Sequence, residues 1–319
     1  MFDIDIKTLE EIEKTLGEQD ILTKDEPEMK VSLKEEDREE AIPTEIPTAD
    51  VEVTPETTHK SLARITVPVR HNDKLTAILE RVNQDIELQT MWRCANINAV
   101  DRLGISDHGR VHVQIVANIG LKMLRLLHEA GVVPSIVQHH NLSFEDAEVV
   151  VVLGALLHDI GICVHREEHE HHSLWLADRK MIELLDGIYD IEQRTIVKSE
   201  VLHAIIAHAR SQKCLTIEAG VVKVADALDM AKGRSRIPFE AGHINIHSAS
   251  AYAIQSVELK AGVEKPIHIQ VNMSNSAGIF QIDELLKKKI QNSSIKDYLE
   301  LVASIGAETE EKLIPVYHM

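Results

Sequence analysis

The stretch Val149-Val150-Val151-Val152-Leu153-Gly154-Ala155-Leu156-Leu157-His158-Asp159-Ile160-Gly161 decides how this chain is read. Just before it, Ser143-Phe144-Glu145-Asp146 has the form of a capping box, with an acidic residue three positions after a Ser, so a helix is expected to open there. The apolar run then carries that helix to an imidazole and a carboxylate side by side. Charged groups at the end of a buried helix are costly unless something compensates them, and a divalent cation is the usual compensation. The competing reading is a satisfied polar helix end, with Gly161 as its C-terminal cap.

Working outward, a second apolar helix-like run, Ala219 to Met230, is interrupted by Asp226 among Val221, Val222, Val224, Ala225 and Leu228. A carboxylate buried there needs a cation or several donors, which weakens the reading of His158-Asp159 as a mere helix end. His112 lies upstream, with His169, His203 and His208 downstream. Nitrogen and oxygen donors of this kind suit Mn, Fe, Ni, Zn or Mg, and donors from several helices require a folded site.

The histidines are not equal candidates. His108 and His112 are four apart and would share a helical face, and the stripe Val113, Val116, Ile119 orients His112. His108 follows Ser106-Asp107, an expected N-cap pair, and reads equally well as a solvated first-turn residue or a partner of a ligand. His169 and His208 are preferred over His165, His171, His172 and His203, because histidines clustered on a polar loop are ordinarily just exposed.

The pattern from Lys74 onward is mostly helical. Leu75, Ile78, Leu79, Val82, Ile86 and Leu88 form one stripe and Val113 to Leu127 another. Further helices are expected over 169–186, 195–210 and 216–231, the last opened by Thr216 as N-cap. After Pro238 the texture changes: Ile254 to Lys260, Ile267 to Met273 and Leu299 to Ile305 read as strands, and Ile282 to Ile290 as a helix whose wet face carries Lys287, Lys288 and Lys289. The expected class is therefore mainly α, a helical body over 61–240 followed by a small α+β subdomain over 241–319.

Residues 1–60 are different. They hold 19 acidic against 7 basic side chains, a net of −12 of the whole chain's −18. Ile4, Ile6, Leu9, Ile12 and Leu16 permit one short amphipathic helix within 1–24. Residues 25–60 mix Glu and Thr with Pro27, Pro43, Pro47 and Pro55, too little apolar surface to offset the entropy of ordering, and are expected to be a disordered acidic linker.

With 319 residues and 44% apolar content the chain can bury a sizeable core. Without a bilayer-length apolar run or a basic-then-apolar leader, a soluble cytoplasmic protein with no membrane partner is expected. Cys94, Cys163 and Cys214 are scattered and odd in number, fitting neither a disulfide framework nor a thiolate zinc site. The acidic balance offers no broad basic face for duplex nucleic acid, and 3% aromatic residues give few platforms for stacked bases. Lys232, Arg234 and Arg236 follow Asp226 closely and are candidates to bind a substrate phosphate at the cavity mouth, with a solvated basic turn as the alternative. Walker-type phosphate cradles, Gly-x-Gly-x-x-Gly turns and Gly-x-Ser-x-Gly elbows do not occur.

The order His112, His158-Asp159, Asp226 resembles the HD-domain metal-dependent phosphohydrolases, over roughly residues 105–235. Val116 and the Ile160-Gly161 pair fit the local pattern of that family. The resemblance implies an HD-type helical bundle in which these four side chains hold a divalent ion. His169-Glu170 and Ile205-Ile206-Ala207-His208 resemble the extra histidine motifs of two-metal members, implying two ions of the Mn, Fe, Ni or Mg kind. Many members continue the same Ile-Gly with Lys; this chain has Ile162, and Arg166 is the candidate to take that role. Val222 to Arg236 with Ala253-Ile254-Gln255 also resembles the catalytic end of ribonuclease Y.

These readings converge on metal-assisted phosphoester hydrolysis of a phosphorylated small molecule or nucleotide, with His158, Asp159 and Arg166 as catalytic candidates and His112, His158, Asp159, His169, His208 and Asp226 as metal ligands. The alternatives are an RNA phosphodiesterase and a metal-stabilised nucleotide sensor. A homodimer through apolar helix faces is also consistent with the sequence.

Overall fold

The computed structural model describes residues 64–230, 250–306 and, as backbone, 316–318. By its contacts the chain divides into units 1–58 and 59–319, and the described residues belong to the second. The helix expected within 1–24, the acidic stretch 25–60 and the basic trio Lys232, Arg234 and Arg236 lie outside the described residues. The described part is mainly helical with a small C-terminal sheet, as the sequence predicts. None of its helices is long and apolar enough to cross a membrane.

Helix α1 (Asp73–Gln84) buries Leu75, Ile78, Leu79 and Val82. The stripe expected to run through Leu88 is broken at Asp85, whose extended backbone ends α1 and whose side chain accepts from Leu88 N at 2.9 Å to start α2 (Ile86–Asn96). Re-registering after that break leaves Ile86 56% exposed, whereas Leu88 and Trp92 stay buried. Trp92 Nε1 donates to the Leu156 carbonyl at 2.9 Å, tying α2 to the helix that leads into His158-Asp159.

Helix α3 (Arg110–Glu129) takes no side-chain cap from its own N-cap Gly109; Asp107 Oδ1 instead accepts from Gly109 N and His112 N, each at 3.2 Å. The short α4 (Ser135–His140) leads to α5 (Phe144–Leu157), which opens with the capping box of Ser143 and Asp146. Every residue of α5 from Asp146 to Leu157 is buried. The helix is the central post of the bundle, packed by α3, α7 (Ile191–Ala207) and α8 (Ile217–Leu228). Each fully buried Val or Leu on it stabilises the fold by about 1.5–3 kcal/mol, enough to hold a costly polar end in place.

After His158-Asp159 the chain makes a single 3-10 turn, Ile160–Cys163, and then enters α6 (His169–Leu185). Gly161 is not a left-handed cap, because its φ is not among the positive values of this chain. Close approach explains the glycine instead: a Cβ there would overlap the His169 carbonyl oxygen and the Ser173 backbone nitrogen. Ser173 Oγ donates to His158 O at 2.6 Å and accepts from Gly161 N at 2.8 Å, clamping α6 onto the turn. Thr216 caps α8 as expected, accepting from Ala219 N at 3.2 Å.

The C-terminal sheet has the order β1-β2-β3-β4, formed by Ile254–Ala261, Ile267–Met273, Leu299–Ile305 and Val316–His318. β1 and β2 are antiparallel, β2 and β3 parallel, and β3 and β4 antiparallel. Ile267, Ile269, Val271 and Met273 alternate with half-buried residues, and their face joins the same apolar core as the helices. The parallel crossover from β2 to β3 is helical, as α9 (Gly278–Gln281), a π-helical stretch Ile282–Lys287 and α10 (Lys288–Gln291), and it packs against α8.

Candidate metal centre

Four helix ends and one helix interior deliver the site. His112 comes from the first turn of α3, His158 and Asp159 follow α5, His169 begins α6, His208 is the C-cap of α7, and Asp226 lies near the end of α8. All are buried except Asp226, whose side chain keeps 12% of its exposure.

Their ligand atoms converge. His112 Nε2 lies 3.2 Å from His158 Nε2, 3.3 Å from Asp159 Oδ2 and 3.4 Å from Asp226 Oδ1, while His158 Nε2 is 3.2 Å from Asp159 Oδ2 and 3.7 Å from Asp226 Oδ1. The other oxygen of the same carboxylate turns away: Asp159 Oδ1 stands 3.1 Å from His169 Nε2 and 3.7 Å from His208 Nε2, themselves 3.2 Å apart. Ligands bound to one ion at about 2.0–2.2 Å lie roughly 3–4 Å from each other, so both groups have the spacing of a coordination shell.

The opposite ring nitrogens fix which atom faces inward. His158 Nδ1 donates to Ala155 O at 2.8 Å and His208 Nδ1 to Ile205 O at 2.5 Å, so in each ring it is Nε2 that faces the cluster. His112 Nδ1 is 2.6 Å from Asp229 Oδ2, the carboxylate–histidine arrangement that orients metal ligands elsewhere. His169 Nδ1 lies 3.0 Å from Arg166 O and 3.2 Å from Glu170 Oε2. Buried imidazole nitrogens aimed at one another and at two carboxylates fit a divalent cation.

The electrostatics agree. For His158, burial pushes the pKa down, but the charges and hydrogen bonds of Asp159 and Asp226 outweigh it and raise the value to about 9. Burial would raise the Asp159 carboxyl, yet the His158 charge and hydrogen bonds from His112, His158 and His169 hold it well below the usual range. Asp226 is likewise held low against burial, chiefly by the charge of Lys289. Burial and the neighbouring His158 and Lys289 charges push His208 well below an ordinary histidine. A proton on His158 thus does part of what a cation would do.

Arg166 reaches the edge of the cluster, its Nη1 2.7 Å from His169 Nδ1. His108 is buried beside it rather than solvated, with its ring centroid 5.5 Å from that of His112 and its Nδ1 2.6 Å from Ser106 O. His165 is exposed, its Nδ1 accepting from Glu167 N at 3.1 Å, and His171 is exposed as well. His172 packs toward Trp175. His203 accepts from Leu215 N at 3.0 Å and lines a separate groove with Leu174, Trp175 and Ile206. It is turned away because His208, five residues on, already lies beyond the helix, so the two do not share a helical face.

Sequence reasoning missed three contributors. Asp229 stands three residues after Asp226, a helical spacing that signals a shared face. Lys223 is fully buried and donates to Ala207 O at 2.9 Å, Ala209 O at 2.7 Å and Gln212 O, anchoring the turn that carries His208; burial pushes its pKa down to about 8. The third corrects an expectation. Lys289 is not on the wet face with its neighbours but ion-pairs with Asp226, whereas Lys287 and Lys288 pair outward with Asp283 and Glu284. Consecutive helical residues are rotated by about 100°, so three adjacent lysines cannot share one face.

Residues 109–231 match the family model described as HD domain. Over 231 residues the chain is 47% identical to "Uncharacterized protein MJ1020" of Methanocaldococcus jannaschii, covering 72% of this chain and 89% of that one. The chain belongs to the HD-domain family. It is also 27% identical over 236 residues to ribonuclease Y of Desulforamulus reducens, covering 70% of this chain but only 43% of that protein's length. No solved structure matches. HD-domain proteins bind divalent metals and form a superfamily of metal-dependent phosphohydrolases. Among the described residues of this HD-domain protein, three groups satisfy the spacing for an ion: His112 with His158 and Asp226; His158 with Asp159 and His208; and His169 with Glu170 and His208.

Proposed function

We propose that this HD-domain protein hydrolyses a phosphoester of a nucleotide-like small molecule at a centre of two divalent ions of the Mn, Fe, Ni or Mg kind. The observation that carries this reading is the divergence of one carboxylate: Asp159 Oδ2 faces His112 and His158, and Asp159 Oδ1 faces His169 and His208. His112, His158, Asp159 and Asp226 would hold one ion, and Asp159, His169 and His208 the other. When bound, such ions polarise the phosphoryl group and activate water for in-line attack. The chain's own part is to fix the donors: Ala155 O and Ile205 O set the ring orientations of His158 and His208, and Asp229 sets that of His112. Arg166 brings a positive charge to the edge where a substrate phosphate would lie, and Lys232, Arg234 and Arg236 would add to it from the segment after α8.

The cavity over the cluster has a volume of about 580 Å³ and is lined by Leu103, Ile105, Met230 and Leu285 besides the polar groups. Small-ligand pockets run to about 300–1,000 Å³, so this size supports a single nucleoside phosphate. The similarity to ribonuclease Y favours a second reading, cleavage of RNA phosphodiesters.

The test is an assay of the purified, Mn²⁺-loaded protein against nucleoside phosphates, cyclic dinucleotides and short RNA. Turnover of a nucleoside phosphate or cyclic dinucleotide that disappears in Asp159→Ala supports the proposal. Turnover confined to RNA selects the second reading. Tight binding across the panel without product would overturn both in favour of a sensor.

A further inference from the structure

We propose that Lys289, delivered by the C-terminal crossover rather than by the HD helices, is the phosphate-contacting cation of this site. The inference rests on the hydrolytic reading above and names the side chain that meets the substrate.

The helical position comes first. Gln281, Leu285 and Lys289 recur every four residues along the crossover, and all three line the cavity above the cluster. That spacing turns one stripe of the α9 to α10 run toward the site, and Lys287 and Lys288 fall on the other side, where they pair with Asp283 and Glu284. The Lys289 side chain is only 15% exposed. Holding a flexible, rotamer-rich side chain in a near-buried pose costs conformational entropy that a surface lysine keeps.

The chemistry follows from which atom it holds. Asp226 presents Oδ1 to His112 and His158, and Lys289 Nζ takes Oδ2. The carboxylate is therefore gripped from behind, with one oxygen turned to the ligand cluster. An ammonium has three donors, and Asp226 Oδ2 accounts for one. The others belong to a head group that lines the same cavity as Asp159 and Asp226, where a phosphoryl oxygen would approach. Among the described residues the cationic lining of this cavity is Arg166, Arg210 and Lys289. Arg166 is already engaged with His169, and Lys289 is the cation in contact with a cluster carboxylate.

Ile162, in the turn that follows His158-Asp159, is buried and apolar, so no cation rises from that turn itself. The structure supplies one from across the cavity instead, on an element outside the residues 109–231 that match the family model.

The experiment compares wild type, Lys289→Met, Lys289→Arg and the outward-facing Lys288→Met. Metal content is read by elemental analysis after Mn²⁺ loading, and inorganic phosphate is titrated into each loaded protein by calorimetry. The expected result is unchanged metal content in all four, phosphate binding weakened at least tenfold in Lys289→Met, partly restored in Lys289→Arg, and unaffected in Lys288→Met. With an active substrate the same loss falls on KM more than on kcat. Phosphate binding in Lys289→Met equal to wild type overturns the proposal, as does a wild-type protein that holds Mn²⁺ but no phosphate at millimolar concentration. Loss of Mn²⁺ from Lys289→Met also overturns it, since Lys289 would then serve only to hold Asp226. If wild type itself takes up no metal, it is the hydrolytic reading that falls.

Discussion

Asp229 Oδ2 lies 2.6 Å from His112 Nδ1, so the carboxylate that follows α8 sets the ring with which α3 enters the site. Such a partner fixes both tautomer and orientation, and its loss typically costs about 10–100-fold in metal affinity. Asp229→Ala is expected to weaken Mn²⁺ binding by that factor while the helical circular dichroism stays as in wild type. An unchanged titration would show that the ring is held by its packing alone.

Metal stoichiometry tests the bridge. Asp159→Ala removes an oxygen from each group of donors and is expected to leave the protein without tightly held metal. His208→Ala removes a donor from one group and should lower the content from about two ions per chain to about one. Identical content in the two variants would sink the assignment of Asp159 as the shared ligand.

The pKa shifts give a signed pH dependence for the metal-free protein. His158 is raised from 6.5 to about 9, so its contribution to stability is fully present below pH 6.5 and is lost as pH rises through 9. His208 is lowered, so it destabilises the fold as pH falls below 6.5 and the unfolded chain takes up a proton that the folded one refuses. Thermal denaturation of the chelated protein is therefore expected to peak near pH 6.5 and decline toward 9. Metal displaces the His158 proton, so Mn²⁺ affinity should climb with pH up to about 9 and then level off. A melting temperature of the chelated protein that rises steadily from pH 6.5 to 9 contradicts the charge assignment of His158.

Lys223 anchors the turn after α7 by donating to the Ala207, Ala209 and Gln212 carbonyls. Lys223→Met leaves those acceptors without their donor, at about 1–3 kcal/mol for each buried one. A loss of about 2–4 kcal/mol in urea unfolding is expected, together with a weakened second ion because His208 sits in that turn. Wild-type stability in this variant would mean that water replaces the ammonium at no cost.

Gly161 tests the packing beneath the site. Its missing Cβ is the space occupied by the His169 carbonyl and the Ser173 nitrogen. Gly161→Ala should destabilise the protein by about 1–3 kcal/mol, in the range of overpacked cores, and shift His169 away from Asp159 Oδ1. A crystal structure of the variant with His169 in place would refute the second effect.

Local pattern made much of this legible. The apolar run into His158-Asp159, the capping box at Ser143 and the strands Ile254–Ala261, Ile267–Met273 and Leu299–Ile305 follow from periodicity and caps, which act over a few residues. The structure brings the side-chain nitrogens and oxygens of His112, His158, Asp159, His169, His208 and Asp226 together. There was reason in the sequence to look for such a meeting, because a buried charge demands a cation or several donors wherever it sits.

The tertiary structure alone decided which neighbours turn inward. His203 and His165 have the same chemistry as His208 and His169 but face elsewhere, Asp229 was one more acidic residue past a helix, and Lys289 was one lysine of a run. Sequence composition determines that a side chain is charged and that its helix is amphipathic. Whether that charge meets a carboxylate or water depends on the rotation of one helix against another, and that angle is set by contacts between residues far apart in the chain.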